Sequence, residues 1–203
     1  MTPRPALILA STSRYRRELL ARLRVPFECV APGVDESALA QETPARLASR
    51  LARAKAQAVA SRRPDAVVIG ADQVADLDGE TIGKPGSHER AVAQLRRMSG
   101  HTVVFQTAVA VVQASRGFVA EVLVPVAVRF RSLDAATIET YLRAEQPYDC
   151  AGSAKSEGIG LALLEAVEAD DPTALIGLPL IHTCRLLRGA GIDVLQPDPL
   201  GPG

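Results

Sequence analysis

The sequence predicts an α/β fold with an elongated, mixed and twisted sheet flanked by helices. Apolar strand-like runs alternate with segments that carry apolar residues at helical spacing, which is the pattern of α/β proteins. Two long strand-like runs, residues 102–113 and 117–130, follow each other in the middle of the chain and indicate antiparallel strands. Hydrophobic residues make up 47% of the 203 residues, which is enough for a full core.

Five helices are predicted from capping residues and apolar periodicity. Ser13 follows a short buried strand, and Thr43 with Pro44 looks like a cap and a first helical position. Ser87 caps the third helix and Gly100 ends it. The predicted helices span residues 13–24, 44–61, 87–100, 132–145 and 179–188.

Further strands are predicted before and after the long central pair. Residues 6–10 and 66–71 read as buried strands, and Asp72 follows the second of them. Residues 74–82 read as a hairpin that turns at Asp78-Gly79. Pro125 indicates an edge position or a bulge in the second long strand, and residues 158–167 read as a further strand. We expect one domain over residues 1–195 and a disordered tail over residues 196–203.

Charge and cysteine content exclude several classes of protein. The formal net charge is zero and the sequence pI is about 6.8, which argues against a general binder of nucleic acid or membrane surfaces. Three scattered cysteines with no C-x-x-C pair indicate neither a zinc ribbon nor a disulfide framework. The apolar run at the start is too short for a signal peptide, and no segment is long enough to span a membrane. We therefore expect a cytoplasmic protein.

Three arginines, Arg14, Arg16 and Arg17, stand at the predicted start of the first helix. A helix N-terminus carries a partial positive charge, so each cation there costs up to ~1 kcal/mol unless something compensates. A bound phosphate would compensate, because free N–H groups and positive side chains at a helix start attract anions. The alternative is that the guanidinium groups simply turn to water, and the residues alone leave both possibilities open.

Lysine is rare in this chain. Of the 23 cationic residues, twenty are arginine and only three are lysine, namely Lys55, Lys84 and Lys155. A compact ammonium differs chemically from a planar guanidinium, so lysine is expected where arginine does not serve, although three lysines can also survive by chance. Lys55 falls on the apolar stripe of its predicted helix, where it either extends past the edge of the core or reaches into a pocket.

Common nucleotide and hydrolase motifs are absent, which leaves carboxylates and cations as the candidate chemistry. The sequence has no Walker A pattern, no strand-anchored G-x-G-x-x-G and no G-x-S-x-G. Its three histidines lie far apart, so a histidine zinc site is not expected. Asp72 follows a buried strand, Asp35 and Glu36 lie in a loop, and Lys84 precedes Pro85. Together they offer hard oxygen ligands for a divalent metal and cations for a polyphosphate.

Six segments in order resemble the Maf family of nucleoside triphosphate pyrophosphatases. They are "ASTSRYRRELL", "GVDES", "LARAKAQ", "VIGADQV", "GKP" and "LRRMSGHTVVFQTAVAV", and the resemblance runs from about residue 7 to 195. It implies two lobes around a nucleotide-binding cleft, and a divalent metal cofactor, Mg²⁺ or Mn²⁺. The family often has proline where this chain has Arg14.

The resemblance implies roles for individual residues. Asp72 is expected to be the general base, and Glu36 with Asp72 is expected to hold the metal. The expected phosphate-binding residues are Ser13, Arg16, Arg17, Lys55 and Lys84. The expected partner is a small-molecule nucleotide, with a homodimer as a possibility and neither nucleic acid nor membrane as a partner.

Within the family, three residues resemble the branch that hydrolyses 7-methyl-GTP: Tyr15, Gln73 and Glu157. An aromatic face attracts the cationic methylated guanine, and a carboxylate accepts hydrogen bonds from its Watson–Crick edge. Without the family, core packing explains Tyr15 and a loop charge explains Glu157. The alternatives are a pyrophosphatase for dTTP, UTP or other noncanonical nucleotides, and a nucleotide-binding regulator of cell division and septum formation.

Overall fold

The computed structural model describes residues 4–196. Seven strands and five α-helices occur in this part of the chain. The strands are β1 (Leu7–Leu9), β2 (Glu28–Cys29), β3 (Val67–Leu77), β4 (Glu80–Ile82), β5 (Thr102–Gln113), β6 (Phe118–Phe130) and β7 (Leu164–Glu168). The helices are α1 (Arg14–Ala21), α2 (Pro44–Ala60), α3 (His88–Met98), α4 (Ala135–Glu145) and α5 (Leu180–Gly189).

The strands form one open mixed sheet in the order β2-β1-β3-β5-β6-β7, with β4 paired to β3. β1 runs parallel to β2 and β3, whereas the pairs β3–β4, β3–β5, β5–β6 and β6–β7 are antiparallel. β7 pairs only with the last residues of β6, so Pro125 lies where the outer side of β6 has no neighbour among the described strands. The predicted α/β class, the mixed elongated sheet and the edge position of Pro125 are confirmed.

The two halves of strand β3 pair with different strands along one of its edges. Residues 67–69 pair with β1, and residues 75–77 pair with β4. Residues 70–74 are paired only on the opposite side, with β5. The backbone edge between β1 and β4 is therefore open, and side chains from both faces of β3 reach this opening.

Three hydrophobic clusters divide along the two halves of β3. One cluster joins β4, α3 and α4 to the far ends of β3, β5 and β6. The other two lie on opposite faces of the near end, where α1 and α5 pack on one face and α2 packs on the other. Each half thus has its own apolar core, and the open edge of β3 lies between the halves, as expected for two lobes around a cleft.

Two predicted segments differ from the structure. Asp72 does not end its strand, because β3 continues to Leu77 through its pairing with β5 and β4. The predicted strand over residues 158–167 begins only at Leu164, and Ile159–Leu163 is a 3₁₀ helix. At Gly160 an added Cβ would lie 2.4 Å from the Lys155 carbonyl oxygen, so this backbone folds back on itself instead of extending.

The helix starts agree closely with the caps identified in the sequence. The side chains of Ser13, Thr43 and Ser87 each accept a hydrogen bond from a backbone N–H in the first turn of their helix. The ends of the first and third helices come earlier than predicted, at Ala21 and Met98. The predicted tail, apart from Gln196, lies outside the described residues.

Membrane segments and disulfides are not found in residues 4–196. No helix in this range combines the length and apolar character that crossing a bilayer requires. Cys29, Cys150 and Cys184 are all free thiols.

Candidate active site

The open edge of β3 borders a cleft of about 810 Å³. Its walls come from the β1–α1 turn, the loop before α2, the middle of β3, the loop after β4, and two later segments around residues 149–157 and 175–177. The predicted site residues that line it are Ser13, Tyr15, Arg16, Glu36, Lys55, Asp72, Gln73, Lys84 and Glu157. A second cavity of about 890 Å³, lined by Arg4, Arg62, Arg63 and Arg116 among others, lies at the opposite end of β1 and β3.

The start of α1 forms one wall of this cleft. Ser13 caps the helix through a 3.4 Å bond from the Arg16 backbone N–H, and its own backbone N–H donates to Ser11 Oγ at 3.1 Å. The Arg16 side chain turns into the cleft, where its Nε donates to the Gly177 carbonyl at 3.0 Å. Burial lowers the pKa of Arg16, although Asp72 and Glu36 partly offset this effect.

The two arginines predicted to act as a pair take different positions. Consecutive helical residues point about 100° apart, so one face of α1 cannot present both side chains. Arg16 lines the cleft, whereas Arg17 is exposed and is not part of the cleft lining. The phosphate-binding roles of Arg16 and Arg17 stay predictions, but only Arg16 lines the cleft, whereas Arg17 turns to solvent.

Lys55 lies between two carboxylates. Its Nζ is 2.7 Å from Asp72 Oδ1 and 2.7 Å from Glu36 Oε1. Lys55 and Asp72 are only 4% and 6% exposed, while Glu36 faces solvent. Lys55 therefore does not extend past the core to bulk water but reaches into the cleft.

A close approach between α2 and β3 brings Lys55 to this point. Gly70 allows it, since an added Cβ there would lie 2.2 Å from the Ala52 carbonyl oxygen and 2.6 Å from the Ala56 backbone nitrogen. Side chains alternate along a strand, so Asp72 shares the face of Gly70 that meets α2. Lys55, one residue before Ala56, is thereby held against Asp72.

The two carboxylates respond differently to this environment. Burial raises the pKa of Asp72, and the charges of Lys55 and Arg16 only partly reverse the shift. Burial also acts on the more exposed Glu36, but there the hydrogen bond from Lys55 and the charges of Lys55, Lys84 and Arg16 outweigh it, so its pKa is lowered. A carboxylate with a raised pKa beside one whose pKa is lowered is an arrangement suited to proton transfer.

Gln73 lies on the opposite face of β3 from Asp72. Its Nε2 lies within hydrogen-bond distance of Thr107 Oγ1 at 2.9 Å, of the Ala174 carbonyl at 3.0 Å and of the Leu175 carbonyl at 2.9 Å. These bonds attach the segment 171–177, one wall of the cleft, to the sheet. The structure therefore gives Gln73 a contact that the sequence could not assign.

Tyr15 and Glu157 lie at the other end of the cleft. The Arg14 guanidinium is 4.7 Å from the Tyr15 ring centroid and donates to its hydroxyl at 2.7 Å. Glu157 is exposed and accepts a 3.0 Å bond from Ser156 Oγ. Cys150 lies nearby, but burial raises the pKa of its thiol to about 11, so it is protonated at neutral pH and is not a nucleophile.

Three features were not anticipated from the sequence. Arg14 contacts the tyrosine ring, Thr107 bonds to Gln73, and Lys155 forms an ion pair with Glu145 on α4 instead of lining the cleft. Thr107 stands inside the "LRRMSGHTVVFQTAVAV" segment, yet only strand register brings it opposite Gln73. No cluster of three or more His, Cys, Asp or Glu suited to a metal occurs within residues 4–196.

Comparison with known proteins decides the family. The family model described as "Maf-like protein" matches residues 6–190. The chain belongs to the Maf family. Maf relatives with high identity include the "7-methyl-GTP pyrophosphatase" of Albidiferax ferrireducens, 66% identical over 93% of this chain and 95% of the relative.

Two further relatives carry the same name. A protein from a Polaromonas species is 65% identical over 94% of this chain and 87% of the relative. A protein from Thiobacillus denitrificans is 57% identical over 94% of this chain and 95% of the relative. Because the matches span most of both partners, the similarity to these Maf proteins covers both lobes and the cleft.

Proposed function

We propose that this chain is a nucleoside triphosphate pyrophosphatase that hydrolyses 7-methyl-GTP to 7-methyl-GMP and pyrophosphate, and so keeps modified nucleotides out of nucleic acids. Membership of the Maf family and the name shared by the similar relatives support the proposal. The observation that carries it is the buried Lys55 between Asp72 and Glu36 at the open edge of β3. This cluster puts a base and a cation beside Arg16 in one cleft.

Asp72 acts as the general base in this proposal. Lys55 donates to its Oδ1, no described residue donates to its Oδ2, and the residue borders the cleft. Asp72 takes a proton from a water molecule, the water oxygen forms a bond to the α-phosphorus, and the bond to the bridging oxygen breaks. Pyrophosphate leaves with the electron pair of that bond, and the nucleoside monophosphate remains.

Cations on three elements bind the triphosphate. Arg16 approaches from the start of α1, Lys55 from α2 and Lys84 from the loop after β4. As negative charge shifts toward the leaving pyrophosphate, these fixed cations stabilise it more than they stabilise bound substrate. Ser13 adds a helix N-terminus, where backbone N–H groups face the phosphates.

A divalent cation fits the carboxylates of this cleft. Two carboxylates share one lysine, and hard oxygen ligands of this kind suit Mg²⁺ or Mn²⁺. The resemblance to the Maf family assigns Glu36 and Asp72 as its protein ligands, and both line the cleft. When bound, the ion would supply charge neutralisation and a more acidic water.

The base is recognised by Tyr15, Glu157 and Gln73. Guanine methylated at N7 carries a positive charge, which an aromatic ring and a carboxylate both attract. The carboxylate of Glu157 also accepts from the N1–H and N2–H₂ donors of guanine, which pyrimidine bases do not present together. A cation–π contact contributes ~0.5–2 kcal/mol, so a larger preference for the methylated base requires the charge of Glu157.

A nucleotide panel with product analysis tests the proposal. Purified protein with Mg²⁺ or Mn²⁺ is incubated with 7-methyl-GTP, GTP, ATP, dTTP and UTP, and the products are separated by ion-exchange chromatography. We expect pyrophosphate release, loss of activity when the metal is chelated, and the highest kcat/KM for 7-methyl-GTP. Orthophosphate as the product would refute the reaction, and equal turnover of dTTP or UTP would refute the substrate.

The cellular setting forms part of the same proposal. Three free cysteines fit a reducing compartment such as the cytoplasm, and the zero net charge fits a small-molecule substrate better than nucleic acid. The proposal includes a homodimer, and light scattering on the purified protein distinguishes a dimer from a monomer.

A further inference from the structure

The side-chain amide of Gln73 has its nitrogen fully engaged inside the protein. An amide NH₂ group has two hydrogens, and here three oxygens lie within 2.9–3.0 Å of it: Thr107 Oγ1 and the carbonyls of Ala174 and Leu175. No hydrogen of this group is left for a bound ligand. Any contact between Gln73 and a ligand therefore involves its oxygen.

Strand register supplies the threonine. Gln73 on β3 is directly opposite Thr107 on β5, which places both side chains on the same face of the sheet. Thr107 is fully buried, and its hydroxyl donates to the Ala174 carbonyl at 3.0 Å. With its hydrogen used in this way, the hydroxyl oxygen is free to accept from Gln73, so the two bonds form one directed chain.

The reverse orientation of the amide is excluded on electrostatic grounds. Rotating it by 180° would bring Oε1 against the carbonyl oxygens of Ala174 and Leu175, with no hydrogen between them. In the observed orientation no described residue donates to Oε1. Every buried side-chain nitrogen or oxygen in residues 4–196 has a partner, so Oε1, which has none, is not buried. Since Gln73 lines the cleft, its Oε1 faces the open space of the cleft.

We infer that Thr107 is a positioning residue for base recognition, because its hydroxyl, together with the carbonyls of Ala174 and Leu175, fixes Gln73 so that only a hydrogen-bond acceptor faces the base. This inference rests on the proposed nucleotide pyrophosphatase function. Gln73 and Glu157 both line the cleft, and together they would offer the base two side chains that only accept. Guanine presents the donors N1–H and N2–H₂ along its Watson–Crick edge, whereas adenine presents an acceptor at N1 and is disfavoured.

Replacing the threonine by an isostere without the hydroxyl tests this assignment. In Thr107→Val the Gln73 amide loses its hydroxyl acceptor and the Ala174 carbonyl loses the bond from that hydroxyl, so the amide is held less firmly in the orientation that presents Oε1. We therefore expect the ratio of kcat/KM for GTP over ATP to fall at least tenfold. These two nucleotides share the triphosphate and differ in the edge of the base. Thr107→Ser keeps the hydroxyl but is smaller than threonine, and we expect it to keep the wild-type ratio. If only the volume of the side chain mattered, Thr107→Val would keep the ratio and Thr107→Ser would not.

Thr183 offers a matched control. It is also fully buried, and its hydroxyl donates to the Pro179 carbonyl at 2.7 Å, but it does not line the cleft. Thr183→Val therefore loses the same kind of bond and is expected to leave the GTP/ATP ratio within about twofold. An unchanged ratio in folded Thr107→Val, or an equal change in Thr183→Val, would overturn the inference.

A second measurement does not depend on turnover or on the folding of a variant. In wild-type protein labelled with ¹⁵N, the side-chain NH₂ protons of Gln73 are expected to exchange with solvent far more slowly than those of an exposed glutamine. Exchange at the exposed rate would overturn the inference. If the wild type cleaves no nucleoside triphosphate, the proposed function fails, and the exchange measurement still decides how the amide is oriented.

Discussion

The two ends of the cleft are built in different ways. At the end that we propose binds the phosphates, the contacts join residues that are distant in the chain, such as Lys55 with Asp72 and Arg16 with Gly177. At the end that we propose binds the base, Tyr15 contacts its neighbour Arg14, and Glu157 contacts its neighbour Ser156. Long-range contacts between buried groups are fixed by the fold, whereas exposed contacts between neighbours break at little cost.

This difference suggests a division of labour. The Lys55–Asp72 and Arg16–Gly177 contacts are formed without a bound nucleotide, and such preorganisation is what electrostatic stabilisation of a transition state requires. Tyr15 and Glu157 have only local side-chain hydrogen bonds to break when a base binds, whereas Gln73 is held by Thr107, Ala174 and Leu175. Changes at the phosphate end should therefore reduce turnover of every nucleotide, whereas changes at the base end should alter the preference among nucleotides.

The largest effect is expected for Asp72→Asn. Asparagine keeps the size of the side chain but cannot take a proton, and loss of a general base typically costs 10²–10⁴-fold. We expect kcat to fall at least about a hundredfold for 7-methyl-GTP and GTP alike, measured as pyrophosphate release from protein whose circular dichroism matches wild type. Turnover near the wild-type value would remove Asp72 from the role of base.

Low pH should imitate this substitution in the wild type. A raised pKa means that Asp72 binds its proton at a higher pH than an ordinary aspartate, so the base is lost as the pH falls through that raised value. We expect the acid limb of the kcat/KM profile to lie above the range of a free aspartate. An acid limb at or below that range would show that a different group limits the reaction.

Lys55→Met should have the next largest effect. The methionine fills a similar volume in the core but provides no charge for the triphosphate, and we expect kcat/KM to drop more than tenfold, or ~1.4 kcal/mol. Since Lys55 also lowers the pKa of Asp72, its removal should move the acid limb to higher pH.

Lys155→Met is the matched control for this change. It removes a lysine that pairs with Glu145 and does not line the cleft, so kcat should stay within about threefold of wild type. Unchanged kinetics in a folded Lys55→Met protein would limit Lys55 to packing.

Tyr15→Ala tests the base end and should mainly affect preference. Loss of the ring removes a cation–π contact of ~0.5–2 kcal/mol, which is a few-fold to about thirtyfold in the ratio of kcat/KM for 7-methyl-GTP over GTP. Turnover of GTP itself should change less. If both substrates lose activity equally, the ring supports the cleft without selecting the methylated base.

Arg14→Ala should have the smallest effect, and in the opposite direction. The Arg14 guanidinium already lies near the Tyr15 ring, where the cationic base would compete with it. Its removal should lower the KM for 7-methyl-GTP by a few-fold while kcat stays constant, as steady-state kinetics can measure. A higher KM would instead indicate that Arg14 contributes to substrate binding.

Strand and helix types were largely readable from the sequence because they depend on nearby residues. Caps such as Ser13 and Thr43 and the turn at Asp78-Gly79 are local signals, and the structure confirms each of them. The strand predicted over residues 158–167 was wrong in its first part, where close packing of Gly160 against the Lys155 backbone decides the conformation, and it was confirmed from Leu164 onward. The resemblance also identified the Maf family, since it depends on the order of short motifs.

What only the tertiary structure decided is how these local pieces meet. Asp72 lies within β3 instead of at its end, because β4 and β5 prolong the strand by pairing with it. The sequence alone does not distinguish Arg16 from Arg17, but the packing of α1 turns Arg16 into the cleft and Arg17 to solvent. Thr107 faces Gln73 only through the register of β5 on β3, a pairing between residues 34 positions apart that no local pattern encodes.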